Sequence, residues 1–304
     1  MERIVVTRAH SGPPGAPLGT RPNPPSGLAR SACRDRSPRL THTEPVRAGD
    51  YRYFDTRFAA LAHRGGYRSP DDKPLENTVH AFARAVELGY RYLETDVWTS
   101  SDGVPIAFHD ARLERTTDST GRVTDLPFKA LRQVRVAGTE TIPTLDELFE
   151  RFPGTRFNLD LKTTSAVKPV ARAIAAHRAE DRVCVGSFSP ARIRAFRRLT
   201  RGTVATAASP VGVAGQAYAP LLRRIVHSPG VALQIPERVG RERVPLLTRG
   251  LVRTAHAAGR VVHVWTVNRR ADMERLIDLG VDGIVTDRIE LLAEVLAERG
   301  LWED

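Results

Sequence analysis

The chain has 304 residues, of which 41% are hydrophobic, and a formal net charge of +11. That length suits one large domain or two small ones, and single barrels of alternating strands and helices commonly have about 250 residues. No run approaches the roughly 20 apolar residues of a membrane-spanning helix, and the N-terminus lacks the basic-then-apolar pattern of a signal peptide. The only two cysteines are Cys33 and Cys184. A disulfide framework is therefore not expected, and the cytoplasm is the default location.

The positive charge comes almost entirely from arginine, because the chain has only four lysines. These arginines are scattered over presumed helix faces without interleaved aromatic residues, unlike the basic stripe of a nucleic-acid-binding protein. We therefore expect a small-molecule partner and no nucleic-acid partner. The oligomeric state is left open by the sequence.

Residues 1–50 differ in composition from the rest of the chain. Eight of the 21 prolines fall there, together with eight arginines, and no hydrophobic period is visible. Such a segment buries too little apolar surface to offset the entropy lost on ordering. We predict a disordered tail, or an upstream extension from a mis-assigned start codon, followed by one domain at residues 51–304.

From Tyr51 onward, short β-rich runs alternate with longer helical stretches. The predicted strands are Phe58–His63, Tyr92–Trp98, Arg156–Lys162, Val183–Phe188, Thr203–Ala207, Val231–Ile235, Arg260–Val267 and Gly283–Asp287. The predicted helices include Thr78–Leu88, Ala166–His177, Pro190–Leu199, Leu247–Ala257 and Ala271–Leu279. Eight strands separated by crossover helices predict an α/β fold of the (β/α)₈ TIM-barrel class.

A ninth run, Val104–His109, follows the second strand after only four residues that end in Asp102-Gly103. Asp-Gly is a hairpin signal, and the connection is too short for a parallel crossover. We therefore predict an antiparallel β-hairpin extension above the second strand.

Two of the strands carry polar residues in a period of two. Glu94, Asp96 and Trp98 alternate with apolar residues, and Asn158, Asp160 and Lys162 do so on the next barrel strand. In a barrel the apolar set faces the helices, so the polar set points inward. It also lies at the carboxyl ends of the strands, where barrel active sites are built.

Three carboxylates inside a barrel need positive charge nearby. A divalent cation with oxygen ligands, Mg²⁺ or Ca²⁺, would supply it. An internal ion-pair network with Lys162 and Arg64 is the alternative. The alternation of residues alone does not distinguish the metal site from the ion-pair network.

Two histidines end segments near the same mouth of the barrel. His63 precedes Arg64-Gly65-Gly66 at the end of the first strand, and His109 ends the hairpin extension. Two imidazoles on opposite sides of a phosphate suit a reaction that needs a base for the nucleophile and an acid for the leaving alcohol. Either one alone would more often be an ordinary histidine.

The ordered set of short motifs resembles the glycerophosphodiester phosphodiesterase family over about residues 58–298. The motifs are His63-Arg64-Gly65, Glu76-Asn77-Thr78, Glu94-Thr95-Asp96-Val97, Phe108-His109-Asp110, Pro143-Thr144-Leu145, Asn158-Leu159-Asp160-Leu161-Lys162, Gly186-Ser187-Phe188, Val264-Trp265-Thr266-Val267-Asn268 and Gly280-Val281-Asp282-Gly283-Ile284-Val285-Thr286-Asp287.

This resemblance implies a role for each matching position. It makes His63 and His109 the catalytic pair and strengthens the metal hypothesis. The implied metal ligands are Glu94, Asp96 and Asp160, the last at a position where the family more often has glutamate. The implied phosphate- or substrate-binding residues are Arg64, Lys162, Glu76 and Trp265, and Gln234 at the end of the sixth strand is added as a substrate contact.

The predicted function is metal-dependent hydrolysis of glycerophosphodiesters to glycerol 3-phosphate and an alcohol, with His63 as base and His109 as acid. An alternative within the fold is a phosphodiesterase for lysophospholipids or other lipid headgroups, which an apolar mouth would favour. A catalytically inactive binding module would be expected to lack one of the histidines or carboxylates, and all are present.

Overall fold

The computed structural model of the chain describes residues 46–208, 230–239 and 244–303. These residues belong to one compact unit that extends from Leu40 to Asp304. The first 45 residues of the predicted tail lie outside the described residues. Residues 46–50 end in a short 3₁₀ helix, Ala48–Asp50, whose alanine is buried.

Eight of the strands in the described residues form a parallel barrel. The strands are β1 (Ala59–Tyr67), β2 (Tyr92–Thr99), β3 (Pro105–Ala107), β4 (Arg156–Leu161), β5 (Val183–Gly186), β6 (Ala205–Thr206), β7 (Ala232–Pro236), β8 (Arg238–Val239), β9 (Val244–Pro245), β10 (Val261–Trp265) and β11 (Gly283–Arg288). Eight of them lie in the order β6-β5-β4-β2-β1-β11-β10-β7. A parallel bridge between Ala207 and Ala232 joins the two ends, and Ala208 N donates to Ala232 O at 2.8 Å. The predicted eight-stranded parallel barrel is confirmed.

Helices follow the strands on the outside of the barrel. They are α1 (Val79–Glu87), α2 (Phe128–Leu131), α3 (Leu145–Arg151), α4 (Val167–Ala176), α5 (Pro190–Leu199), α6 (Arg249–Ala257), α7 (Arg270–Leu279) and α8 (Ile289–Glu298). Further 3₁₀ helices are Arg52–Phe54, Pro70–Leu75, Val123–Asp125 and Glu180–Arg182. Threonine side chains accept a hydrogen bond at the N-termini of α1, α3 and α6, which explains why these helices begin there. None of the helices in the described ranges combines the length and apolar character needed to cross a bilayer.

The alternation of residues along the barrel strands separates two layers. Leu93, Val97, Leu159 and Leu161 have no exposed surface and pack in the outer layer between strands and helices. Their neighbours in sequence point into the barrel, as the period-two pattern predicted. The side chains of Glu94 and Asp96 therefore face the interior.

The floor of the barrel is closed by residues that precede β1. Tyr51 and Tyr53 are buried in a cluster with Tyr92 and Cys184. The Tyr92 hydroxyl donates to Tyr53 O at 2.6 Å, and the Tyr51 hydroxyl donates to Gly202 O at 2.9 Å. The site at the opposite end of the barrel consequently rests on a filled interior.

The predicted hairpin extension is confirmed. β3 pairs antiparallel with β2, with Val97 opposite Ala107 and Trp98 opposite Ile106. We call residues 100–143, which leave the barrel here and return at α3, the excursion. It has an apolar cluster of its own, formed by Ile106, Phe108, Leu113, Val123, Leu131, Val134, Val136 and Ile142.

Some strand ends differ from the prediction. β1 continues past His63 to Tyr67, with an irregular register after Ala62. Gly65 and Gly66 have φ values of +87° and +66°, which glycine adopts without steric cost. A Cβ at Gly65 would lie 2.7 Å from Ala81 Cβ, so glycine also lets α1 approach the strand. The predicted strand Thr203–Ala207 is shorter, spanning Ala205–Thr206.

Candidate active site

The carboxyl ends of the barrel strands open into a cavity of about 410 Å³. All predicted site residues except Glu76 line this cavity: His63, Arg64, Glu94, Asp96, His109, Asp160, Lys162, Gln234 and Trp265. A cavity of this size suits a small-molecule ligand.

His63 is held in a fixed orientation at the end of the regular part of β1. Its Nδ1 lies 2.6 Å from Asp287 Oδ1 at the end of β11. The other oxygen of Asp287 accepts a hydrogen bond from Asn268 Nδ2 at 2.7 Å. His63 Nε2 faces the carboxylate cluster, 3.8 Å from Glu94 Oε2. The pair with Asp287 therefore leaves Nε2 as the ring atom available for proton transfer.

The pKa of His63 reflects two opposing effects. Burial lowers it, but the hydrogen bond to Asp287 and the negative charge of Glu94 outweigh burial, so the pKa lies above its ordinary value. The imidazolium form is therefore stabilised by the two carboxylates. A cation bound to Glu94 would cancel part of this effect and favour the neutral form, which can act as a base.

His109 is held in a similar way on the excursion. Its Nδ1 lies 2.6 Å from Asp110 Oδ1, and its carbonyl oxygen accepts from Trp98 Nε1 at 3.0 Å. Asp110 Oδ2 in turn accepts from Arg115 Nε. Burial would raise the pKa of Asp110, but the hydrogen bonds from Arg115 and His109 hold it below its ordinary value. Asp110 thus remains an anion beside the imidazole.

Glu94 and Asp96 are buried carboxylates on neighbouring inward positions of β2, with 7% and 3% of their surface exposed. Burial raises the pKa of Glu94 to about 7, and the charge of Asp96 adds to the rise. Asp96 Oδ2 has no hydrogen-bond partner in the part of the chain that the structure describes. Both observations indicate negative charge that the surrounding protein only partly compensates.

Lys162 and Arg64 supply positive charge that partly neutralises the buried carboxylates. Lys162 Nζ lies 2.6 Å from Asp96 Oδ1 and 2.7 Å from Asp160 Oδ2, and Arg64 Nε lies 3.3 Å from Asp96 Oδ2. The ion-pair network considered as the alternative to a metal is thus formed. Within residues 46–208, 230–239 and 244–303, no three acidic, histidine or cysteine side chains stand as a preformed metal cage.

The donor set nevertheless fits a hard divalent cation. Glu94, Asp96 and Asp160 offer only carboxylate oxygens, the ligands that Mg²⁺ and Ca²⁺ prefer. The raised pKa of Glu94 and the absence of a hydrogen bond to Asp96 Oδ2 within the described residues are both consistent with a site that accepts added positive charge.

Glu76 lies behind Arg64 and does not line the cavity. Its Oε1 accepts from Arg64 Nη1 at 3.1 Å, and both of its oxygens accept from Arg115. In the described structure, therefore, Glu76 contacts the arginine expected at the phosphate. Its own contact with substrate stays a prediction.

The opposite wall of the cavity is apolar. Phe188 and Trp265 meet edge to face, with ring centroids 6.0 Å apart, and Ile235, Pro236 and Leu246 continue the wall. Phe188 is 62% exposed at the mouth. The cavity thus joins an anion-binding side to an apolar side.

Gln234 lines the cavity, but its amide is already engaged. Gln234 Nε2 donates to Asn158 Oδ1 at 2.7 Å. The same nitrogen lies 3.5 Å from His263 Nδ1, so both hydrogens of the amide face protein groups and Oε1 is the atom most available to a ligand.

Sequence reasoning assigned no role to Asp287, Asn268, Asp110 or Arg115. Asp287 could have been suspected, because it is a carboxylate at the carboxyl end of a barrel strand. Asp110 adjoins a candidate catalytic histidine. Arg115 gives no such signal, because its partners become visible only in three dimensions.

A (β/α)₈ barrel with two carboxylate-held histidines and two cations beside buried carboxylates has the groups that a barrel enzyme acting on phosphate esters needs. Residues 63–291 match the model of the glycerophosphoryl diester phosphodiesterase family. The chain therefore belongs to this family.

Individual proteins agree with this assignment. A probable glycerophosphodiester phosphodiesterase 2 of Mycobacterium tuberculosis is 39% identical over 257 residues, covering 80% of this chain and 92% of that protein. A lysophospholipase D of Rattus norvegicus is 27% identical over 278 residues, covering 78% of this chain and 85% of that protein. The structure of an Oleispira antarctica phosphodiesterase in complex with the product sn-glycerol-3-phosphate has a TM-score of 0.66 and 26% identity, covering 79% of this chain and 96% of that one.

Proposed function

We propose that the chain hydrolyses glycerophosphodiesters to glycerol 3-phosphate and an alcohol in a metal-dependent reaction, with His63 and His109 as the acid–base pair. The observation that carries the proposal is that one cavity is lined by two imidazoles, each paired at Nδ1 with a carboxylate, and by Arg64 and Lys162. The product named for the Oleispira antarctica structure is consistent with it. A cytoplasmic location, predicted from the cysteine content, belongs to the same proposal.

The two histidines have complementary tasks. His63 Nε2, which faces the carboxylate cluster, removes a proton from the attacking oxygen, a water or the neighbouring glycerol hydroxyl, as that oxygen bonds to phosphorus. If the glycerol hydroxyl attacks, the first product is a cyclic phosphate, and a water then opens this ring to give glycerol 3-phosphate. His109 Nε2 gives a proton to the alcohol oxygen as the second phosphorus–oxygen bond breaks. Asp287 stabilises the imidazolium that His63 becomes when it accepts the proton, and Asp110 stabilises the imidazolium from which His109 donates.

The remaining polar residues bind and neutralise the phosphate. Arg64 and Lys162 place positive charge beside it, where charge develops during the reaction. Glu94, Asp96 and Asp160 would hold Mg²⁺ or Ca²⁺. When bound, that ion would supply further charge stabilisation at a phosphoryl oxygen.

The test is turnover of glycerophosphocholine, glycerophosphoethanolamine and glycerophosphoglycerol, before and after removal of metal with a chelator and restoration with Mg²⁺ or Ca²⁺. Activity that depends on the metal is expected with at least one of them. Absence of activity with all three after metal restoration would refute the proposal.

The histidine assignment has its own test. His63→Ala and His109→Ala should each lower kcat by about 10²–10⁴-fold, the usual contribution of a general acid or base. His177→Ala is the matched control, because His177 pairs with Asp146 Oδ1 at 2.9 Å on the outside of the barrel. A variant at either cavity histidine that keeps more than about a tenth of the activity would contradict its role.

A second candidate substrate class is favoured by the apolar wall of Phe188 and Trp265. A lysophospholipid would place its phosphate among the cations and its glycerol or acyl portion against the aromatic rings. The relative named as a lysophospholipase D supports the comparison.

This candidate predicts a selective effect of Phe188→Ala. The substitution should raise KM for lysophosphatidylcholine by about tenfold, the equivalent of one partly buried aromatic ring, and leave KM for glycerophosphocholine within about twofold. Leu199→Ala is the control, because Leu199 is similarly exposed, at 50%, but does not line the cavity. Equal effects on both substrates would count against the lipid class.

A further inference from the structure

Arg115 lies on the excursion, and its guanidinium forms a fork of hydrogen bonds to two carboxylates. Its Nε donates to Asp110 Oδ2, while Nη1 and Nη2 donate to the two oxygens of Glu76, Nη1 at 3.2 Å. A planar guanidinium suits this arrangement, because its several donors diverge in a fixed plane. The hydrogen bond to Glu76 raises the pKa of Arg115, so the bridging group is always a cation.

The two ends of this fork lead to two different residues that line the cavity. Through Asp110, Arg115 is connected to His109 Nδ1, 2.6 Å from that carboxylate. Through Glu76, it is connected to Arg64, whose Nη1 lies 3.1 Å from Glu76 Oε1. Charges alternate along this chain, so each member stabilises the next.

This series of hydrogen-bonded side chains connects the excursion to the segment after β1. The excursion has an apolar cluster separate from the barrel core, and its backbone pairs with the barrel through β2 and β3. Neither feature fixes the side chain of Asp110, which is 27% exposed. Arg115 supplies an anchor for that carboxylate on the side facing Glu76.

We propose that Arg115 is a positioning residue that orients His109 for proton transfer by holding Asp110 against its Nδ1 while being held itself by Glu76. The proposal rests on the proposed function of His109 in glycerophosphodiester hydrolysis. Arg115 does not line the cavity, and it acts through Asp110. Arg64 has its own ion pairs with Glu76 and Asp96, so loss of Arg115 should lower kcat and leave substrate binding nearly unchanged.

The kinetic test compares Arg115→Met with Arg112→Met on glycerophosphocholine. Arg115→Met should lower kcat by about 10- to 100-fold, as small misplacements of catalytic groups do, with KM within about twofold of wild type. Arg112 is the matched control, because it also lies on the excursion but pairs with Glu114, 2.6 Å away. Its substitution should leave both constants unchanged.

A combined variant shows whether Arg115 acts through His109. In the His109→Ala background, Arg115→Met should lower the residual kcat by less than about twofold, because groups that act as a unit are not additive. A loss in that background as large as in the wild-type background would overturn the proposal. Equal losses for Arg112→Met and Arg115→Met would overturn it too.

A spectroscopic readout separates this proposal from the proposed function. In protein with ¹⁵N-labelled histidines, the Nδ1–H signal of His109, assigned by its absence in His109→Ala, should be visible in wild type and in Arg112→Met. In Arg115→Met it should broaden or disappear through exchange with water, while the thermal midpoint stays within a few degrees of wild type. A signal unchanged in Arg115→Met would refute the positioning role even if no glycerophosphodiester were turned over.

Discussion

Asp287 and Asp110 both pair with a histidine of the cavity, but they are fixed by different neighbours. Asp287 accepts from the side chain of Asn268, and its own backbone nitrogen donates to Asn268 Oδ1 at 2.9 Å. Burial would raise the pKa of Asp287, but the hydrogen bond and charge of His63 keep it below its ordinary value. An ionised carboxylate therefore faces His63 at neutral pH, and its removal should affect the ring directly.

Asp287→Asn should lower kcat by about 10- to 100-fold, part of the roughly 10²–10⁴-fold due to an acid or base. An amide can present either NH₂ or C=O to Nδ1, so the ring loses both its fixed tautomer and its counter-charge. Steady-state kinetics on glycerophosphocholine would measure the loss.

Asp282→Asn is the control for this substitution. Asp282 also pairs with a histidine, His256 Nε2 at 2.8 Å, but neither residue lines the cavity. Turnover should be unchanged in the control. Equal activity of Asp287→Asn and wild type would show that His63 does not depend on its aspartate.

The excursion contains both the candidate catalytic residue His109 and an apolar cluster that is separate from the barrel core. His109 lies close to the point where it leaves the barrel, and Leu131 in α2 is fully buried in its cluster. Elements with a small separate core can open locally at a lower free energy than the whole domain. Stability of the excursion should therefore be separable from that of the barrel.

Leu131→Ala should destabilise the excursion by about 2–5 kcal/mol, as for other buried leucines truncated to alanine. Hydrogen exchange should accelerate in residues 100–143 while the barrel strands keep their protection, and kcat should fall because His109 is less often in place. Leu292→Ala in α8, fully buried in the barrel core, should instead lower protection across the barrel. Uniform loss of protection in Leu131→Ala would indicate a single cooperative unit.

The extent of sequence-based prediction differs between elements for physical reasons. The alternation of polar and apolar residues along β2 and β4 predicted that Glu94, Asp96 and Asp160 point into the barrel, because side-chain direction in a strand follows local periodicity. Asp102-Gly103 predicted the β2–β3 hairpin from local turn chemistry.

Other features depend on contacts distant in sequence and were not predictable from local pattern. The pairing of His63 with Asp287 joins residues 224 positions apart. Burial of Tyr53 at the barrel floor likewise depends on strands that follow it in the chain. The extension of β1 to Tyr67 depends on the positive φ angles of Gly65 and Gly66, which the sequence permits but does not require.

At the scale of the whole molecule, buried ionisable groups make the stability of the barrel depend on pH. His263 is 1% exposed, and its ring lies beside that of Phe54, with centroids 6.0 Å apart. Burial lowers the pKa of His263 from 6.5 to about 4, although the charge of Asp282 opposes the shift. Between these pH values the unfolded chain binds a proton that the folded barrel does not.

The contribution of His263 to the free energy of unfolding should therefore decrease as pH falls from 6.5 to about 4. His263 alone would contribute a loss on the order of 3 kcal/mol over that window. Glu94 acts in the opposite sense, because its pKa is raised to about 7 in the folded state. Acidification thus favours folding through Glu94 and unfolding through His263.

Comparison with His263→Gln isolates the histidine, since Glu94 titrates in both proteins. Urea unfolding at pH 7.5 and pH 5 gives the change in unfolding free energy on acidification, which should be less favourable to folding in wild type than in the variant by on the order of 2 kcal/mol. The variant need not match wild type at pH 7.5, because only the change with pH is compared. Parallel pH dependence in the two proteins would mean that His263 gains its proton in the folded barrel as readily as in the unfolded chain. The interior would then have to admit charge or water next to Phe54, contrary to the packed floor described above.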